Sequence, residues 1–461
     1  MSKKGKDTSG IIPNGRKIRV IRERQGFSQE GLAEKAGYDP KSIGNLERNT
    51  GNQSINLIQV LADTLGVPFE EIVIDKNSLV GKHLISFDTY LENKIKNFIG
   101  RDWLFEKVDD LLNSSNWNSG YILIQGNPGA GKSAILSKLI EQKDIYAYHF
   151  NIATQGINTT EKFLRNLCAR LINQYDIRRE SLPDDFEEDS KFLSELLFDV
   201  SKCITEKNPL IIAIDALDEV SDSRDISQRN NILNLPSSLP EHVYIIATTR
   251  NVKDLKLVVD NLASPIVIEE YAEFNISDIS AYVEDYYSNS KELKSWAKKQ
   301  KIKKDTFASE LVRKSEGNFM YLCHVLPAIE NGVYSGIKLD KLPAGLMNYY
   351  ISHWQIMEQQ IGGRFDKTHK KVICTLAAAE DLVGIDLIAK WTKEDIFLVR
   401  EILDSWNEFL SRQLDESEKA RIYHLSFREF LEQRVDPGLK TYHKMIADSI
   451  ADQLGDEFGI S

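Results

Sequence analysis

Residues 126–133 read Gly-Asn-Pro-Gly-Ala-Gly-Lys-Ser, the pattern G-x-x-x-x-G-K-S. Glycines at these positions let a backbone wrap around phosphates with its N–H groups pointing inward, and a following helix adds its positive N-terminal end. Gly126, Asn127, Pro128, Gly129, Ala130 and Gly131 are the cradle. Lys132 is placed to reach the β- and γ-phosphates, and Ser133 Oγ to ligate Mg²⁺. The apolar run Tyr121-Ile122-Leu123-Ile124 comes before the loop, and Ala134–Ile140 follows with helical spacing. Strand, glycine loop and helix is the context this chemistry requires. About 80 residues later, Leu210–Ile214 is an apolar run that ends in Asp215-Ala216-Leu217-Asp218-Glu219. A carboxylate at the tip of a buried strand sits at the ligand-binding edge of an open α/β sheet. Asp215 is therefore the expected Mg²⁺ holder, directly or through water, and Asp218 or Glu219 the group that orients or deprotonates an attacking water. A third buried run, Val243–Thr248, ends in Thr249-Arg250. Arg250 is expected to contact the γ-phosphate and report its presence.

Those side chains need a sheet to hold them. Strands are expected at 121–125, 145–150, 210–215, 243–248 and 266–269, alternating with helical segments, which predicts an α/β domain with a mostly parallel sheet over 98–270. From 271 onward helical periodicity dominates. The predicted organisation is multidomain: a disordered tail (1–12), an all-α domain (13–75), a linker (76–97), the α/β core (98–270), a helical domain (271–340), a further domain (341–435) and a C-terminal helical tail (436–461). A chain of 461 residues is too long for a single core.

Net charge is −11, which gives no global attraction to nucleic acid, yet residues 1–60 carry 11 lysines and arginines against 6 acids. A basic end on an acidic protein points to a nucleic-acid-binding module there. Cys168, Cys203, Cys323 and Cys374 form no metal-ligand spacing and read as buried free thiols in a reducing compartment. No signal peptide or membrane-length apolar run is present, so a cytoplasmic protein without a membrane partner is expected.

Residues 29–48 have helix-turn-helix spacing. Small Ala33 allows close helix crossing, Gly37 supplies the turn, and Leu32 and Ala36 share an inner face that Ile43 and Leu46 join. Ser28 and Asp39 are the expected caps, with Pro40 in the first turn of the second helix. The stretch 16–74 resembles the Cro/C1 (XRE) family. In such domains the second helix enters the major groove of double-stranded DNA, which makes Lys41, Ser42 and Asn45 the base-edge candidates, with Gln29 and Arg48 as backbone or flanking contacts. Gly44 at an exposed helix position costs up to about 1 kcal/mol relative to alanine and suggests weaker or specialised recognition. One such domain reads a half-site, so a second copy is needed for useful affinity.

From 98 to 450 the chain resembles a STAND-class P-loop NTPase of the NACHT family. Phe98-Ile99-Gly100-Arg101-Asp102, the spacing Asp215-Ala216-Leu217-Asp218-Glu219, Glu316–Leu322, Leu342–Leu346 with Tyr349-Tyr350, and His424–Leu431 carry the likeness. The resemblance implies a winged-helix domain over 341–435. It also implies a slow, switch-type NTPase, most simply an ATPase, that holds ADP when closed and self-associates through its core on exchange for ATP. His424 is, by the same resemblance, the residue that touches the β-phosphate of ADP, and helix capping is its alternative role. Phe319 and Met320 stand where many relatives place a proline near the adenine. Relatives continue into WD40, TPR or other repeats that sense a trigger. With the sequence stopping at Ser461, the sensor is expected to be absent, supplied by another protein, or replaced by the winged helix. Two outputs compete: nucleotide-controlled transcription, and bacterial anti-phage immunity with the helix-turn-helix as an effector or docking domain. A steadily cycling ATPase motor is a third reading.

Overall fold

The computed structural model describes residues 11–47, 54–75, 80–175, 177, 182, 191–221, 231–250, 255–379, 382–413, 418–434 and 439–458. Arg48 and most of the expected N-terminal tail lie outside the described residues. The chain divides into two compact units. The first comprises residues 1–126, 132–151 and 158–268, and the second 127–131, 152–157 and 269–461.

The first unit opens with helices α1 (Gly15–Arg24), α2 (Gln29–Ala36), α3 (Pro40–Glu47) and α4 (Ile55–Leu65). Strand β1 (Ile11–Pro13) pairs antiparallel with β2 (Val73–Asp75) and closes the domain. Local chemistry sets the boundaries. Ser28 Oγ accepts from Gly31 N–H at 3.0 Å to start α2, and Gly37 ends it in the left-handed region at φ 73°. Asp39 accepts from Lys41 N–H at 2.7 Å at the start of α3. Ile18, Leu32, Ala33, Ile43, Leu46 and Leu61 are fully buried at the centre. Gly44 is buried too, a correction to its expected exposure. α3 packs against both α1 and α2, which leaves it a narrower solvent face than periodicity alone suggests.

The rest of the unit is a five-stranded parallel sheet in the order β4-β5-β6-β3-β7. Its strands are β3 (Gly120–Gln125), β4 (Ala147–Phe150), β5 (Leu210–Asp215), β6 (Val243–Thr249) and β7 (Ile266–Val267). β7 is shorter than expected because Ile268–Tyr271 turns into a 3-10 helix. Helices α6 (Asp102–Leu112), α7 (Lys132–Gln142), α8 (Thr160–Tyr175) and α9 (Lys191–Ser201) supply amphipathic faces to the sheet. Within the stretch expected to be a linker, residues 88–95 form helix α5 (Asp88–Ile95). Phe87 just ahead of it is buried against Tyr148, His149 and Phe150. Cys168 is buried as expected, whereas Cys203 is exposed.

The second unit is helical: α10 (Ala272–Asn289), α11 (Lys291–Lys299), α12 (Lys304–Ser315), α13 (Phe319–Glu330) and α14 (Leu346–Ile361) come first. They are followed by α15 (His369–Ala379), β8 (Val383–Gly384), α16 (Ile385–Thr392), α17 (Ile396–Ser405), β9 (Leu410–Gln413), β10 (Lys419–Ile422), α18 (Leu425–Arg434) and α19 (Lys440–Phe458). The strands form an antiparallel sheet in the order β8-β10-β9. Cys374 is buried here and Cys323 exposed. Among the described residues no helix is long and apolar enough to cross a membrane.

A polar cluster is set into this core. Glu408 Oε1 lies 2.9 Å from His353 Nδ1, Tyr349 Oη donates to Glu408 Oε2 at 2.8 Å, and His324 stacks on the Tyr349 ring at 5.3 Å. Burial pushes the His324 imidazole down from 6.5 to about 4, against the opposing pull of the Glu408 carboxylate. Burial pushes the Glu408 carboxyl up, but His353 and Tyr349 outweigh it and hold the group below its ordinary value. A histidine whose pKa is depressed by folding binds more protons when unfolded. Stability is therefore present above 6.5 and is lost as pH falls through 4. A full shift of this size corresponds to about 3 kcal/mol. His324→Phe is expected to flatten the pH dependence of unfolding across that window, followed through Trp296, Trp354, Trp391 and Trp406 fluorescence. An unchanged slope assigns the titration elsewhere.

Candidate nucleotide and DNA sites

The phosphate loop leaves the carboxyl end of β3 and is tied at once to β6, because Gly126 N–H donates to Thr249 O at 3.2 Å. α7 begins at Lys132, whose Nζ donates to Gly126 O at 2.6 Å. Asp215, at the tip of β5, is 1% exposed. Its Oδ1 accepts from Thr248 Oγ1 at 2.5 Å, and it shares a hydrogen bond with Ser133. Burial pushes the Asp215 carboxyl up, while the hydroxyls of Ser133 and Thr248 and the charges of Lys94 and Lys132 pull it down. These groups fit a magnesium nucleotide. Ser133 and Asp215 are hard oxygen donors side by side, the set Mg²⁺ takes from a protein. Gly131 takes a left-handed conformation at φ 91°, and a Cβ there would meet nothing within 4 Å.

Beyond Asp215 the backbone turns sharply. Ala216 sits at φ 52°, held by its N–H donating to Thr248 Oγ1 at 2.8 Å, and Leu217–Glu219 forms a 3-10 turn. The turn brings together two residues to which the sequence assigned separate roles. Arg250 N–H donates to Asp218 Oδ1 at 2.9 Å, and Arg250 Nε lies 3.0 Å from Asp218 Oδ2. Glu219 stays on the same turn, where its backbone carbonyl accepts from Asn158 Nδ2 at 2.6 Å. Thr248, which no motif singled out, braces both Asp215 and Ala216.

In the second unit, residues 127–131 are gripped from outside the loop. Asn127 N–H donates to Glu269 Oε1 at 2.6 Å, Asn318 Nδ2 to Pro128 O at 2.8 Å, and Met320 N–H to Gly129 O at 3.3 Å. Gly129 has φ 82°, and a Cβ there would collide with the Asn318 side chain. Asn318 also caps α13 through Tyr321 N–H at 3.2 Å. The likeness over 316–322 pointed to this segment without revealing what it holds. His424 lies just ahead of α18, where its Nδ1 accepts from Ser426 N–H at 3.2 Å, a capping contact. With Nδ1 an acceptor, the neutral ring carries its proton on Nε2.

On the helix-turn-helix, Lys41 is exposed, and Ser42 and Asn45 are half-buried along α3. Ser42 Oγ donates to Asp39 Oδ2 at 3.0 Å. Gln29 Nε2 donates to Glu47 Oε2 at 2.8 Å, so this residue also serves the domain's interior. α1 faces α8 of the sheet domain. Asn14 Nδ2 donates to Asn173 O at 2.9 Å, the Arg16 guanidinium lies 3.7 Å from the Tyr175 ring centroid, and Arg19 Nη1 lies 2.7 Å from Asp144 Oδ2.

Comparison with known proteins agrees with both halves of this geometry. Residues 18–72 match the family described as Helix-turn-helix, and residues 101–250 match the family described as Nephrocystin 3, N-terminal. The chain is 36% identical over 58 residues to the uncharacterized HTH-type transcriptional regulator YazB of Bacillus subtilis (strain 168), covering 13% of this chain and 84% of that protein. It is also similar to a solved structure from Pyrococcus horikoshii, a Signal Transduction ATPase with Numerous Domains (STAND) protein with a tetratricopeptide repeat sensor. The TM-score is 0.42 at 12% identity, over 77% of this chain and 45% of that one.

Proposed function

We propose that this chain, which belongs to the helix-turn-helix family through residues 18–72 and carries a NACHT-like P-loop NTPase core of the STAND class, is a nucleotide-controlled transcriptional regulator. The observation that carries the reading is the junction of α1 with α8, which joins a DNA-binding fold to the body that holds the phosphate loop. ATP or ADP binds the loop 126–133 through Lys132 and the backbone, and Ser133 and Asp215 hold Mg²⁺, which offsets phosphate charge during hydrolysis. Asp218, paired with Arg250, aims it at the γ-phosphate, and Glu219 on the same turn orients or deprotonates the attacking water. Hydrolysis is slow and resets the state. The order α15-β8-α16-α17-β9-β10 supports a winged helix, and His424 donates from Nε2 to the β-phosphate of ADP. Self-association in the ATP state brings a second helix-turn-helix to the duplex and raises avidity.

Fluorescence anisotropy with a library of duplexes, in ADP and in a non-hydrolysable ATP analogue, tests this. Binding is expected in both states, at least ~10-fold tighter with the analogue, and steeply weaker as salt rises. Absence of duplex binding in either state would sink the proposal.

A further inference from the structure

Helix α5 stands between the two modules, and its residues reach the metal side of the nucleotide site. In the sheet ladder Phe150, the last residue of β4, is the partner of Asp215. The Tyr90 ring packs on Phe150 with centroids 4.9 Å apart. That packing sets the Tyr90 ring beside the strand end that carries Asp215, with its hydroxyl within interaction reach of Ser133. One turn further on, Lys94 Nζ lies 5.2 Å from the Tyr90 ring centroid, and its charge acts on Asp215. Phe87 and Leu91, both 3% exposed, anchor the helix from the other side of Tyr90.

The geometry points to Tyr90 as a positioning residue for Mg²⁺: its hydroxyl orients Ser133 Oγ so that a lone pair faces the metal. The inference rests on the nucleotide-site reading above. A serine hydroxyl can donate one hydrogen bond and accept others, and rotates freely when unpartnered. With Asp215 on one side and Tyr90 on another, that rotation is lost before the metal arrives. Groups that hold a metal ligand in this way commonly contribute ~10–100-fold to metal affinity.

Tyr90→Phe removes only the oxygen and keeps the ring on Phe150, so the full-length variant serves as the test. Binding of a fluorescent ADP is titrated with EDTA and again across a Mg²⁺ series. Wild-type and variant are expected to bind equally in EDTA, and the gain in affinity on adding Mg²⁺ is expected to be ~10-fold smaller in the variant. A ring with a merely structural role leaves the Mg²⁺ gain unchanged, and equal gains in the two proteins overturn the proposal. Failure of the wild-type protein to bind the nucleotide with or without Mg²⁺ is a different outcome, and removes the site itself together with the inference.

Discussion

Lys132→Ala is expected to weaken ATP and ADP binding by at least ~100-fold while leaving the fold intact. The Lys132 ammonium is half-buried at the first turn of α7, where it donates to Gly126 O at 2.6 Å. Its value lies in charge-assisted bonds to phosphate oxygens, each contributing roughly 1.5–3 kcal/mol. Loss of two such bonds corresponds to about two or more orders of magnitude in affinity. Lys138, two turns along the same helix, is the control. It pairs with Glu141 at 2.5 Å on the surface, and Lys138→Ala is expected to change binding less than ~2-fold. Calorimetric titration of the three proteins with ADP and Mg²⁺ separates these outcomes. Retention of affinity within threefold in Lys132→Ala would show that the loop does not bind phosphate.

The parts of this site that could be read from sequence share one property: their chemistry is local. β3, β5 and β6 are buried on both faces, so each is an unbroken apolar run, and the loop and Asp215 sit where such runs stop. Asp218 and Arg250 were legible as single residues, but their pairing depends on how the turn at Ala216 aims two strand ends toward each other. Asn318 was legible only through its motif, because its partner Pro128 lies 190 positions away. α5 gave almost no signal. It is eight residues long and buries Leu91, while its most informative residues, Phe87 and Tyr90, find their partners on β4. Such a helix is stabilised by tertiary contacts, and a pattern search along the chain passes over it. Gly44 was misread for a related reason, since helical periodicity assigns a face but not how many neighbours crowd it.

The helix-turn-helix domain depends on a buried ion pair. Arg22 Nε lies 2.5 Å from Glu47 Oε1, and Arg22 Nη2 donates to Glu47 Oε2 at 3.0 Å. Arg22 Nη1 donates to Phe27 O at 2.8 Å, and Gln29 adds its own bond to Glu47. Glu47 is 1% exposed and Arg22 6%, so neither charge is repaid by water. Removing one partner strands the other, a change that typically costs about 3–5 kcal/mol. A domain of this size has total stability of about that magnitude. Arg22→Met is therefore expected to unfold α1 to α4 in most molecules and to abolish duplex binding, while nucleotide binding at the loop persists. Hydrogen exchange over 15–65 reads the first effect and anisotropy the second. The double variant Arg22→Met with Glu47→Leu replaces the whole pair by apolar side chains and is expected to recover most of the protection. Full protection in Arg22→Met alone would mean that Glu47 finds another partner or a proton. Failure of the double variant to recover would mean that the pair fixes the packing of α1 on α3, beyond neutralising a charge. Either result bears on the proposed switch, because α1 is also the helix that touches α8.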